Sequence, residues 1–204
     1  MQTRIRRIEM AKLYFKYGAM GSSKTAQALI AKFNYEERNM KVWLIKPSTD
    51  NRDGSSIIRS RIGIMDTAEN ILPDTHILKR FKEILPKGVD VIIADECQFF
   101  EEAQIDELRT IVDEYSVPVL CFGLRTDFQT HMFPGSRRLF ELSDSITEIK
   151  TICECGTKAS VNARIDSKGK IITRGDQVFL GGNDSYIAMC YKCWDKKIRE
   201  QGNK

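Results

Sequence analysis

Residues 13–29 read L-Y-F-K-Y-G-A-M-G-S-S-K-T-A-Q-A-L, an apolar strand running into a Gly/Ser loop and then a helix. This stretch restricts the fold more than any other. Gly18, four residues, then Ser23-Lys24-Thr25 follows the phosphate-loop pattern G-x-x-x-x-G-K-[ST], with Ser23 where the second glycine would stand. Successive N–H groups of residues 18–25 (Gly18, Ala19, Met20, Gly21, Ser22, Ser23, Lys24, Thr25) and the helix N-terminus would point at anionic oxygens. Lys24 adds a point charge on terminal phosphates and Thr25 a hydroxyl for Mg²⁺. Serine keeps most of the room of glycine at position 23 but argues against a positive φ there.

A Gly-rich turn before a helix is also an ordinary strand-to-helix connection. A second signal favours the phosphate site. Val89 to Ala94 is a short apolar and β-branched run ending in Asp95-Glu96, as expected of a buried parallel strand presenting carboxylates at its carboxyl end. Ligands of open α/β sheets bind at that edge.

The 204 residues suffice for one full core and a small appendage, and the 42% hydrophobic fraction is that of a folded globular chain. A net charge of +4 does not demand nucleic-acid binding. No apolar run approaches the roughly 20 residues that span a bilayer. Residues 1–9 carry three arginines but no apolar segment or cleavage site of a secretory signal, and are expected to be a poorly ordered extension before Met10. Without an export signal the six cysteines belong to a reducing compartment, where close pairs more often hold metal than form disulfides.

Helical spacing is expected from Lys24 to about Asn39, a strand over Lys41 to Lys46 stopped by Pro47, and a polar loop over Ser48 to Ile64. Of its arginines, Arg52 is read as a phosphate contact, Arg59 and Arg61 as solvated. A short strand over Asp74 to Leu78 and a helix over Phe81 to Leu85 follow. Glu101 to Tyr115 forms an amphipathic helix through Ile105, Leu108, Ile111 and Val112, and Val117 to Leu124 another buried strand. This alternation predicts an α/β domain with a mainly parallel sheet, residues 10–149. Beyond Lys150, β-like runs at Val161 to Ile165, Lys170 to Thr173 and Gln177 to Leu180 predict a second small domain, residues 150–194, with a basic helical tail from Trp194, residues 195–204.

Cys153-Glu154-Cys155 and Cys190-Tyr191-Lys192-Cys193 are two close pairs. Four thiolates suit a closed tetrahedral Zn²⁺ site that cross-links a domain too small for a strong core. Cys97 and Cys121 read as small buried residues. Adjacent strand residues point to opposite faces, so Asp95 is the candidate for Mg²⁺ and Glu96 for accepting a proton from an attacking hydroxyl. The same pair would serve an ATPase, with the glutamate orienting water; these residues alone leave both open. The two histidines, His76 and His131, have no evident partner and read as packing or surface residues.

Six stretches in order, G-A-M-G-S-S-K-T at 18–25, K-P-S-T-D-N-R at 46–52, D-E-C-Q-F-F at 95–100, G-L-R-T-D-F at 123–128, K-T-I-C-E-C-G at 150–156 and G-G-N-D-S-Y at 181–186, resemble the motifs of the zinc-containing thymidine kinases. The resemblance runs from about Met10 to Trp194. It implies a P-loop (RecA-like) domain, a zinc-binding lasso domain, and transfer of the ATP γ-phosphate to the 5′-hydroxyl of thymidine with Mg²⁺ in cytoplasmic salvage. A homotetramer and feedback inhibition by dTTP are implied too. Residues 18–25, Asp50, Arg52, Asp95 and Gln98 correspond to phosphate-side positions and Glu96 to the catalytic base. Met20, Phe99, Leu124, Phe128, Phe133 and Tyr186 correspond to thymidine walls. Gln177, Val178, Phe179, Leu180 and Gly181 correspond to the lasso whose main chain meets the base, and Cys153, Cys155, Cys190 and Cys193 to zinc ligands. The alternatives are a zinc-bearing P-loop ATPase acting on nucleic acid, which neither charge balance nor motif order favours, and a nucleotide-binding regulator without turnover, suggested only by Ser23.

Overall fold

A computed structural model describes residues 11–50, 54, 56–177 and 185–202. The expectations for residues 1–9, Arg52, Val178, Phe179, Leu180 and Gly181 lie outside them.

Six strands, β1 (Leu13–Tyr17), β2 (Val42–Pro47), β5 (Glu69–Ile71), β6 (Val91–Ala94), β7 (Val119–Gly123) and β8 (Ser145–Glu148), form one sheet in the order β5-β2-β6-β7-β1-β8. Every pairing in it is parallel. Parallel pairing buries both faces, which explains the near-continuous apolar runs. Trp43, Ile45, Ile92, Val119 and Cys121 pack on one face against α2 (Ile77–Ile84), α3 (Glu102–Tyr115) and α4 (Pro134–Leu142). Leu44, Ile93, Leu120 and Phe122 turn to the other face against α1 (Lys24–Glu36) and Ile58. Alternation along each strand thus assigns its residues to two half-cores.

Three local expectations differ from the structure. No strand forms over 74–78: Pro73 and Asp74 lie in a turn closed by the Thr75 N–H on the Leu72 carbonyl at 3.0 Å, and α2 follows. The Leu72 and Thr75 carbonyls are taken by Gln104 Nε2 of α3 (2.8 and 3.0 Å), and Glu107 accepts the Leu78 N–H (3.0 Å), so α3 supplies what a strand ladder would have supplied. Glu107 also meets His76 Nδ1 at 3.0 Å, a partner sequence spacing did not reveal. The loop expected over 48–64 contains β3 (Ile57–Arg59), paired antiparallel with β4 (Met65–Thr67). The fully buried Lys46 anchors this hairpin by donating to the Gly54 and Ile57 carbonyls. Pro47 is the last residue of β2 rather than its stop.

From residue 150 the chain builds a separate antiparallel pair, β9 (Val161–Arg164) with β10 (Tyr186–Met189), followed by α5 (Tyr191–Gly202). Residues 170–173 contribute only an isolated bridge, Ile165 to Ile171. The buried cluster here is small, five residues including Cys153, Ala163 and Met189. Among the described residues no helix is long and apolar enough to cross a membrane.

Candidate active site

Parallel strands bring their carboxyl ends to one edge, and there the exits of β1, β2, β6 and β7 surround a cavity of about 490 Å³. The β1 exit is tightly built. A Cβ on Gly18 would stand 2.3 Å from the Ile149 carbonyl and 2.4 Å from Ser22 Oγ, so only glycine fits. Met20, Gly21, Ser22, Ser23, Lys24 and Thr25 line the cavity. Gly18 and Ala19 instead turn their carbonyls to the buried Lys24 ammonium, 3.1 and 2.9 Å away. Contrary to expectation, Ser23 is left-handed, with φ 62° and ψ 19°. The turn into α1 needs that conformation whatever the residue, and Ser23 accepts the strain while Oγ donates to the Ser22 carbonyl at 2.6 Å.

At the β6 exit Asp95 is buried, its side chain hydrogen-bonded with Thr25. Its Oδ1 has no hydrogen-bond partner among the described residues. Burial, then the charge of Glu96, push its carboxyl up to about 7 against the pull of Thr25 and Lys24. A buried carboxylate oxygen without a donor, beside a hydroxyl and a phosphate loop, fits Mg²⁺. The expectation that Asp95 and Glu96 face opposite sides does not hold: both line the cavity. β6 ends at Ala94, and Glu96 is left-handed (φ 50°), so strand alternation no longer governs these two residues. Gln98 Nε2 donates to Glu96 Oε2 at 2.6 Å while Gln98 Oε1 accepts the Leu124 N–H at 2.9 Å, tying the carboxylate to the β7 exit. Gly123 leaves room for that amide; a Cβ there would lie 2.8 Å from Oε1.

Beyond the carboxylates, Leu124, Phe128, Tyr186, Phe99 and Phe133 continue the wall, the last two as an edge-to-face pair with centroids 5.5 Å apart. Asp50 also lines the cavity. Arg59 and Arg61, read from sequence as solvated, also line the cavity, because the β3–β4 hairpin folds back over the loop. Sequence reasoning missed Asp127 and Asn162. Buried Asp127 accepts the N–H groups of Gln129 (2.8 Å) and His131 (3.0 Å), and its Oδ2 accepts Gln177 Nε2 at 2.9 Å. Its signal was present in G-L-R-T-D-F, where a buried aspartate would need several donors.

The sulfurs of Cys153, Cys155, Cys190 and Cys193 all lie within 4.8 Å of one another, with Cys155 to Cys190 at 3.7 Å. A tetrahedral ion with Zn–S bonds of about 2.3 Å has sulfurs about 3.8 Å apart, so the cluster fits a structural metal such as zinc. The tight C-x-C pair does not prevent closure, since Gly156 turns at φ 84°. Cys190 precedes α5 and accepts the Cys193 N–H at 3.4 Å. Cys97 and Cys121 are buried, as expected.

A thymidine kinase family model matches residues 11–194. A thymidine kinase of Yersinia pseudotuberculosis is 40% identical over 191 residues, 93% of this chain and 97% of that one. One of Ruegeria pomeroyi is 41% identical over 96% of this chain and 99% of its own length, and one of Rhizobium meliloti 38% over 94% and 100%. The ordered motifs, the parallel sheet with its loop and carboxylates at one edge, the four-sulfur cluster and these full-length similarities lead to one conclusion: the chain belongs to the thymidine kinase family.

Proposed function

We propose that this protein transfers the γ-phosphate of ATP to the 5′-hydroxyl of thymidine, and of deoxyuridine, in pyrimidine deoxynucleoside salvage. One observation carries the reading: Lys24, Asp95 and Glu96 share a cavity with Met20, Leu124, Phe128 and Tyr186, so groups for a triphosphate adjoin a flat apolar slot for a base. The loop of residues 18–25 cradles the β- and γ-phosphates, and Lys24 exchanges its carbonyl partners for phosphate oxygens. Asp50, Arg52 and Gln98 belong to the phosphate side. Thr25 and Asp95 would hold Mg²⁺, which would supply neutralisation of the phosphate charge.

Glu96, oriented by Gln98, accepts the proton of the 5′-hydroxyl as its oxygen bonds to the γ-phosphorus. The bond from phosphorus to the bridging oxygen breaks, and ADP leaves with that electron pair. Phe99 and Phe133 complete the nucleoside wall. Gln177, held by Asp127, and Val178, Phe179, Leu180 and Gly181 correspond by family resemblance to the lasso that meets the base.

The reading includes a division near residue 150, supported by the small cluster around Cys153 standing apart from the main sheet. Zinc at the four cysteines, a cytoplasmic homotetramer and dTTP feedback rest on family resemblance. Exposed Ile30 and Phe33 on α1 suit the assembly. The test is purified protein with Mg-ATP and a nucleoside panel, assayed for monophosphates, with light scattering for oligomer size and a dTTP titration. Thymidine and deoxyuridine are expected to react without response to single-stranded DNA. ATP hydrolysis stimulated by single-stranded DNA, with no nucleoside monophosphate formed, would overturn the assignment.

A further inference from the structure

Asn162 belongs to β9 of the small sheet, yet its side chain is 3% exposed and serves the large one. Its Oδ1 accepts the Met20 N–H at 2.8 Å, and its Nδ2 donates to the Thr126 carbonyl at 2.9 Å. One amide therefore joins three segments: the phosphate loop, the β7 exit and the small sheet. The loop's own main-chain hydrogen bonds are longer, 3.3 Å from Gly18 N–H to Gly123 and 3.2 Å from Ser22 N–H to Ala19. The Met20 N–H is taken by Asn162, so this donor is spent on the shape of the loop. The position calls for an acceptor and a donor side by side. A carboxylate lacks the donor and an aliphatic side chain lacks both.

We infer that Asn162 is a positioning residue that holds the phosphate loop in its nucleotide-binding shape from the small sheet, acting on nucleotide affinity rather than on the chemical step. The inference rests on the kinase reading. Without the tether the loop samples other conformations and the nucleotide must reorder it, which raises the KM for Mg-ATP. Saturating nucleotide restores the geometry, which leaves kcat near its original value. Asn162 also lines the cavity and holds Met20 of the nucleoside wall, so the thymidine KM can move with the loop; a residue that served the nucleoside alone would move the thymidine KM and leave the Mg-ATP KM unchanged.

The test compares the wild type with Asn162→Ala and with Asn162→Leu, which keeps the branching of the side chain while removing both hydrogen bonds. The Mg-ATP KM should rise about tenfold in both variants, equivalent to about 1.4 kcal/mol, with kcat within about threefold. In hydrogen exchange the Met20 amide should be protected in the wild type and lose protection in the variants, while amides of β1 and β7 keep theirs. A folded Asn162→Leu protein with wild-type Mg-ATP KM would overturn the inference, as would a shift confined to the thymidine KM. If neither variant folds, a Met20 amide that exchanges in the wild type as fast as that of exposed Gly63 would still overturn it. Were the wild type to phosphorylate no nucleoside, the functional assignment would fall instead, and exchange with calorimetric ATP binding would still judge the tether.

Discussion

Replacing Asp95 with asparagine should stabilise the ligand-free protein while disabling it. Asp95 is fully buried, its Oδ1 without a partner among the described residues, and burial followed by repulsion from Glu96 raises its carboxyl from 3.8 to about 7. Because the folded-state value is the higher one, the folded protein holds the proton more tightly than the unfolded chain. Stability is therefore greatest below pH 4 for this group and is lost as pH rises through 7. Three units at about 1.4 kcal/mol each put the cost of ionised Asp95 at pH 8 near 4 kcal/mol. Asparagine has no charge to bury and still offers Thr25 an acceptor, so a gain of about 2–4 kcal/mol is expected. For a chain of this length that is roughly 5–15 °C in Tm. At pH 5 the wild type is protonated when folded, and the advantage should shrink to less than half. Melting of both proteins without nucleotide at pH 5 and pH 8 measures this, with thymidine phosphorylation as the activity readout. An Asp95→Asn protein no more stable than wild type at pH 8, or equally advantaged at both pH values, would refute the reasoning.

Glu96→Gln should bind ATP within about threefold of wild type while thymidine phosphorylation falls by about 10²–10⁴, measured by calorimetry and product formation; unchanged turnover would remove Glu96 from the proton transfer. Ser23→Gly relieves a left-handed serine worth about 1–2 kcal/mol, against about 0.4–1 kcal/mol of added freedom in the unfolded chain, so Tm should rise by about 1–3 °C. A lower Tm would show that the Ser23 Oγ bonds to Ser22 and Gln27 outweigh the strain. Chelation should remove about one metal ion per chain and expose the amides of Val161–Arg164 and Tyr186–Met189 to exchange before those of the main sheet, because the apolar cluster under the small sheet is small among the described residues and includes Cys153 itself. Equal protection with and without chelator would argue against a structural metal.

The phosphate loop was legible because each requirement is local: an apolar strand, a glycine where no Cβ fits, a lysine and a threonine at fixed offsets. The helix from Glu102 was legible for the same reason, its apolar residues recurring at one period, whereas the capping box of Glu101 and Gln104 appeared only in the structure. Helix α2 was not. Its start depends on carbonyls and an N–H satisfied by Gln104 and Glu107, about thirty residues away, and short apolar runs do not distinguish helix from strand. The shared orientation of Asp95 and Glu96 was hidden likewise, since a left-handed residue after a strand cancels the alternation on which a sequence argument relies.

Residue order alone determined the parts of this protein: a loop shaped for phosphate, a strand tipped with carboxylates, and two cysteine pairs of metal-binding spacing. Tertiary structure alone decided which parts meet. It folded the arginine hairpin over the cavity, tied Glu96 to the β7 exit through Gln98, and reached from the small sheet to Met20 through Asn162. The physical reason is range. Backbone sterics and side-chain periodicity act over a few residues, whereas a buried hydrogen-bonding group takes whatever partner the packed chain brings within 3 Å, at any separation in sequence.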